Sequence, residues 1–196
     1  CGEPMSRMGN PADRSASQHD DVHLPLSFGT LQCFQYQNFH KLSKQLNNLT
    51  KSTLNLVQFT DQHLFGDPGR ALRGVVTLPA LRATLSAARS DIAASDAILA
   101  TGDLVNDDPG GYEHFRTEFA ALGKPVLCIP GNHDDLPAMR AALSLPPFQL
   151  GGVYDAGNWR TILLDSTIPG ETGGALSAAS LAFLEDALTS APERHA

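Results

Sequence analysis

Along the chain, the rhythm of apolar and polar positions changes near residue 54. The first thirty residues are rich in Ser, Asp, Gly, Pro and Met and lack sustained periodicity, a composition poorly suited to burying a core. Phe39, Leu42, Leu46 and Leu49 then fall three or four apart, which predicts an amphipathic helix over 37–49. From residue 54, short apolar runs alternate with helical stripes. Leu54 to Phe59 reads as a strand. Leu78, Leu81, Leu85 and Ala88 form one face of a helix, with Thr77 as its N-cap and Pro79 in the first turn. Ala97 to Thr101 is a strand of the buried type. Tyr112, Phe115, Phe119 and Leu122 mark the next helix, and Pro125 to Ile129 a third strand. A helix over 136–144, a strand from Trp159 to Leu164, and a helix capped by Ser177 and carrying Leu181, Leu184 and Leu188 complete the series. Strands alternating with helices predict an α/β domain around a largely parallel sheet. The chain therefore divides into an N-terminal extension, 1–53, and a domain, 54–196.

Composition narrows the classes. At 196 residues with ordinary apolar content, the chain can bury one sizeable core. Its net charge of −7 argues against a nucleic-acid backbone as partner of the whole surface. No apolar run approaches the roughly 18 residues of a membrane span, and no basic start followed by an apolar stretch marks a signal peptide. The three cysteines, Cys1, Cys33 and Cys128, are too few and too widely spaced for a disulfide framework, so a reducing, cytoplasmic setting is expected. Cys128, inside an apolar strand, reads as a small buried hydrophobe.

Chemistry enters at the strand ends. A parallel sheet delivers the loops that follow its strands to one edge, where sites gather. The first strand ends in Asp61-Gln62-His63, the second in Gly102-Asp103-Leu104-Val105-Asn106-Asp107, and the third in Gly131-Asn132-His133-Asp134. A turn explains Gly131 and Asn132, which tolerate left-handed backbone angles, but it does not require His133 or Asp134. Three successive loops carrying carboxylate, imidazole or carboxamide groups point to a metal site. Two divalent ions about 3.5–4 Å apart can clamp a phosphoryl group and activate water. Asp61 and His63 would hold one ion, Asp103 would touch both, and Asn132 would offer its amide oxygen to the second. His133 is then free to face the phosphate. This mixture of hard oxygen and imidazole donors suits manganese, iron or zinc better than calcium. The residues by themselves reach as far as metal-assisted phosphoester hydrolysis.

Together these blocks resemble the first three signature blocks of the calcineurin-like metallophosphoesterases. The likeness is greater to the bacterial class III 3′,5′-cyclic-AMP phosphodiesterases. It extends through Phe59-Thr60-Asp61-Gln62-His63-Leu64-Phe65, Leu163-Leu164-Asp165-Ser166 and Ala191-Pro192-Glu193-Arg194-His195, and covers roughly residues 54–195. The resemblance implies a two-sheet sandwich flanked by helices, a pair of divalent ions and a small-molecule nucleotide substrate. It puts Asp61, His63 and the bridging Asp103 on the first metal, Asp103 and Asn132 on the second, and His133 beside the phosphate as the catalytic group. Asn106 matches a position where related phosphatases carry an aspartate that orients this histidine. Asp107 and Asp134 stand outside that set, as loop or supporting groups.

The family pattern continues into His-His-x-Pro-like and Gly-His-x-His blocks, and this sequence stops at Ala196, before the first of them. By that pattern the domain is incomplete at its C-terminus, and His195 does not substitute. The expectation is a first metal short of one ligand, a second short of two, and about one weakly held ion per chain. The leading functional reading is a cyclic-AMP phosphodiesterase. Its alternatives are a non-catalytic fragment with residual metal binding, or a phosphoesterase for another substrate such as a nucleotide-sugar pyrophosphate.

Overall fold

The computed structural model describes residues 53–196; the helix expected over 37–49 lies outside the described residues. Four short strands form one parallel sheet in the order β1 (Leu56–Phe59), β4 (Ala97–Thr101), β5 (Val126–Ile129) and β6 (Phe148–Leu150). Leu56 pairs with Ala97, Ile98 with Val126, and Val126 with Phe148. The pleat sends alternate residues to opposite faces. Ile98, Ala100, Val126 and Cys128 join the main core on one face. Ala97 and Leu127 join a smaller cluster on the other, with Leu99 and Ile129 packed against it.

Helices cover the first face. α1 (Thr77–Ala87) buries Leu78, Leu81 and Leu85, α2 (Arg89–Ala94) buries Ile92, and α3 (Gly111–Ala120) buries Tyr112, Phe115 and Phe119. α4 (Leu136–Ala142) adds Met139. The stripes read from the sequence for α1 and α3 are therefore buried faces; the one read at Leu181, Leu184 and Leu188 is not, since Leu181 and Leu188 are exposed and Ala187 is the buried residue of that helix. One boundary differs: Val76 is the N-cap of α1 and Thr77 is already helical, so the helix starts without a side-chain cap.

The second face carries an antiparallel hairpin, β7 (Gly152–Ala156) and β8 (Trp159–Leu163). Leu163 packs there against Ala97 and Leu127, with Tyr154 alongside. This gives the expected second sheet layer. α5 (Ala178–Thr189) opens with Ser177, whose hydroxyl accepts the Ser180 N–H at 3.0 Å as predicted. Arg160 on β8 ties the elements together. Its guanidinium takes both oxygens of Asp155 at 2.8 Å each and donates to the Ala187 carbonyl at 2.6 Å, near the end of α5. Arg194 adds a cation 3.7 Å from Asp155. The Arg160 hydrogen bonds, helped by that charge, hold the Asp155 carboxyl below the usual carboxylate range. A further hairpin, β2 (Ala71–Leu72) and β3 (Val75–Val76), turns through Arg73 and Gly74, both left-handed at φ 49° and 85°. Among the described residues no helix is long and apolar enough to cross a membrane.

Candidate metal centre

The three loops leaving β1, β4 and β5 meet at one edge of the parallel sheet, fastened by backbone bonds. Asp61 N–H donates to Gly102 O at 3.1 Å, His63 N–H to Asp103 O at 2.9 Å, and Asp107 N–H to His133 O at 3.2 Å. Asp61, His63, Asp103 and Asp107 all sit in the left-handed region, with φ of 58°, 46°, 51° and 52°. Each costs roughly 1–2 kcal/mol in an L-residue, and such backbone clusters at functional sites. The third loop comes so close to the second that only glycine fits at 131. A Cβ there would lie 2.4 Å from the Asp103 backbone nitrogen.

This geometry brings together most of the residues singled out by sequence. His63 Nε2 stands 3.8 Å from Asp61 Oδ1 and 3.7 Å from Asp103 Oδ2. Those separations are too long for hydrogen bonds. They are close to the roughly 3–3.5 Å that separates two ligands each about 2.1 Å from one ion. His63, Asp103 and His133 each offer a donor atom within 4.8 Å of the others. The His63 and His133 rings meet edge to face, centroids 5.2 Å apart. His63 Nδ1 is buried without a hydrogen-bond partner among the described residues. These donor types and spacings fit a transition metal, with His63, Asp103 and His133 converging on one point and Asp61 reaching it only beside His63. Asn132 lies exposed on the turn between Gly131 and His133.

Asp103 also links the second loop to the third. While Oδ2 faces His63, Oδ1 accepts the His133 backbone N–H at 3.1 Å. The His133 ring is held by Asp107: Nδ1 lies 3.0 Å from Asp107 Oδ2. Asn106, the residue matched to an orienting aspartate, turns its amide toward Asp107 at 3.4 Å. The orienting carboxylate is thus one residue further along, where the left-handed turn at Asp107 aims it back at the ring. Sequence position alone could not distinguish the two.

Asp134 proves more than a loop residue. Its Oδ2 accepts from Gly131 N–H at 2.8 Å and Leu104 N–H at 3.2 Å, and its Oδ1 from Val105 N–H at 3.3 Å and the Tyr112 hydroxyl at 3.0 Å. Burial pushes its carboxyl above the usual value, against the four bonds that favour the charge. Burial, reinforced by the Asp134 charge, raises the Tyr112 hydroxyl well above its ordinary range, so it stays a donor. The sequence offered one clue, a carboxylate followed closely by buried helix, but its partner Tyr112 lies 22 positions away. Asp165 folds onto its own turn, accepting from Thr167 N–H at 2.9 Å and from the Thr167 hydroxyl at 2.7 Å. His114 packs its Nε2 3.0 Å from the Gly66 carbonyl, a structural role.

A family model described as calcineurin-like phosphoesterase matches residues 54–186. The chain is 39% identical over 149 residues to the 3′,5′-cyclic adenosine monophosphate phosphodiesterase CpdA of Escherichia coli K12, covering 74% of this chain and 54% of that protein. It is 39% identical over 147 residues to the protein of the same name from Haemophilus influenzae, with the same two shares covered. A probable cyclic nucleotide phosphodiesterase of Synechococcus is 37% identical over 137 residues, covering 69% of this chain and 53% of that protein. The chain spans about half the length of the curated relatives it matches.

Proposed function

This chain belongs to the calcineurin-like phosphoesterase family, and on that premise we propose that it serves metal-dependent hydrolysis of a phosphodiester, with 3′,5′-cyclic AMP as substrate. The observation that carries the reading is the convergence of His63, Asp103 and His133 within 4.8 Å of one another at a single sheet edge. The substrate assignment is supported by the names of the relatives at 39% and 37% identity.

In this reading Asp61, His63 and Asp103 would hold one ion, and Asp103 with Asn132 would contribute to a second. Bound divalent ions, manganese, iron or zinc by donor type, would neutralise phosphoryl charge and acidify an attacking water. The residues supply the rest. Asp103 keeps the two sites in register, because its two oxygens face different loops. Asp107 accepts a hydrogen bond from His133 Nδ1–H, which fixes the ring and leaves Nε2 to address the substrate. There His133 donates a hydrogen bond to a phosphoryl oxygen or a proton to the departing ribose oxygen.

The test is a manganese titration by calorimetry, paired with hydrolysis of cyclic AMP and bis(p-nitrophenyl) phosphate. Manganese should bind, and binding should be lost in Asp103→Ala. Hydrolysis should fall about 10²-fold or more in His133→Ala with metal content retained. Metal binding without turnover of either substrate would favour the alternative of a metal-binding polypeptide that does not catalyse. Turnover of bis(p-nitrophenyl) phosphate but not cyclic AMP would keep the chemistry and discard the substrate.

A further inference from the structure

We infer that Asp134, braced by Tyr112, is the positioning residue that sets the spacing between the Asp103 loop and the Asn132–His133 turn; the inference rests on the metal-dependent reading above. The reason is connectivity. One carboxylate grips the two backbone N–H groups that follow Asp103, at Leu104 and Val105, and the N–H that precedes Asn132, at Gly131, over 2.8–3.3 Å. Leu104 and Val105 are fully buried, so water cannot take over those N–H groups if the carboxylate leaves.

The brace is anchored in the core rather than at the surface. Tyr112 is 1% exposed and packs in the same core cluster as Phe115 and Phe119. Its hydroxyl donates to Asp134 Oδ1 and accepts the Asp135 N–H, both at 3.0 Å. Asp135 in turn accepts the Ala138 N–H at 2.8 Å and caps α4. The spacing of the proposed ligands is therefore tied to α3 and α4, which themselves supply none of them.

Four donors surround Asp134, and this makes one isosteric change informative. In Asp134→Asn, the amide NH₂ must face a pair of N–H or O–H donors whichever way it is flipped. Shape is kept and the brace is broken. We expect Co²⁺ affinity to fall at least tenfold in Asp134→Asn, with a changed ligand-field absorption spectrum, measured well below the melting temperature. Tyr112→Phe should give a smaller loss in the same direction. Leu85→Ala, a core change on α1, serves as a destabilised control and should keep the parental affinity and spectrum. Hydrogen exchange at Leu104, Val105 and Gly131 should accelerate together in Asp134→Asn. Parental Co²⁺ affinity and spectrum in folded Asp134→Asn would overturn the positioning role, as would an equal loss in Leu85→Ala. If the unsubstituted chain binds no Co²⁺, the metal reading fails and the positioning role fails with it. Unchanged exchange at the three amides would instead show that the brace itself is wrong.

Discussion

Gly131→Ala should be among the most damaging single-methyl additions at the sheet edge, and its effect can be worked out from distances. The new Cβ would lie 2.2 Å from Asp103 Oδ1, 2.4 Å from Asp103 N and 2.9 Å from Asp103 Cγ. Ordinary non-bonded contacts stand near 3.5 Å, so the overlap is about 1 Å. The carboxylate could swing away only by giving up the His133 N–H at 3.1 Å. The backbone nitrogen cannot swing at all. Overpacking typically costs about 1–3 kcal/mol, and this contact belongs at the upper end. For a chain of this size each kcal/mol moves the melting temperature by roughly 2–4 °C, so a fall of about 6–12 °C is expected. Thermal melts followed by circular dichroism would read it, with manganese calorimetry showing weakened binding by the folded variant. Gly123→Ala separates crowding from backbone preference. Gly123 has φ 66° with nothing within 4 Å of the added carbon, so only the left-handed cost of about 1–2 kcal/mol applies. A Gly131→Ala protein that melts within about 2 °C of the parent and binds manganese equally well would refute the close approach of the two loops.

Three other outcomes are expected. Asp107→Asn should lower turnover of bis(p-nitrophenyl) phosphate about 10–100-fold while Asn106→Ala has little effect, because Asp107 is the group that holds the His133 ring. Kinetic comparison of the two variants decides it, and the reverse order would restore Asn106 to the orienting role. Asp155 has a depressed carboxyl pKa in the folded state, so its stabilisation is present above the unfolded value near 3.9 and is lost as pH falls through the folded value. Urea melts should therefore find Asp155→Asn weaker than the parent at pH 6, with the gap narrowing as pH falls below about 4. Cys128 is fully buried and its thiol is pushed up to about 12, chiefly by burial. With Cys1 and Cys33 replaced by serine, Cys128 in native protein at pH 8 should react with a thiol-specific disulfide reagent about a thousandfold more slowly than in protein unfolded in guanidinium; comparable rates would place the strand at the surface.

The legible parts of this chain were those with a long enough period. The stripes of α1 and α3 each span at least two turns, and strands β1, β4 and β5 are apolar runs flanked by turn residues, so their types and faces follow from the residues. α5 is a helix as expected but leaves Leu181 and Leu188 exposed and buries Ala187. β2 and β3 are two residues each, and β6 is three, too short for alternation to register. β7 opens on Gly152 and, among the described residues, pairs only with its own hairpin partner β8, a relation set by the turn at Gly157 rather than by its apolar content. Parallel topology made the meeting of the three loops foreseeable, because parallel strands end at a shared edge. Which neighbouring polar residue turns inward was not foreseeable. The choice between Asn106 and Asp107 depends on a single left-handed φ of 52°, and the role of Asp134 depends on a tyrosine from a different helix.

The left-handed backbone at Asp61, His63, Asp103 and Asp107 also leaves a mark on how such a sequence would change over generations. At those φ values glycine is the least strained residue, and asparagine, aspartate and histidine follow it. A lineage kept only for its ability to fold would drift at these positions toward glycine and asparagine, gaining stability as it lost chemistry. The four positions therefore act as a record of selection. Descendants that retain carboxylate and imidazole at all four are still being held to a task, whereas glycine at two or more would mark a copy released from it, even with the rest of the sheet intact.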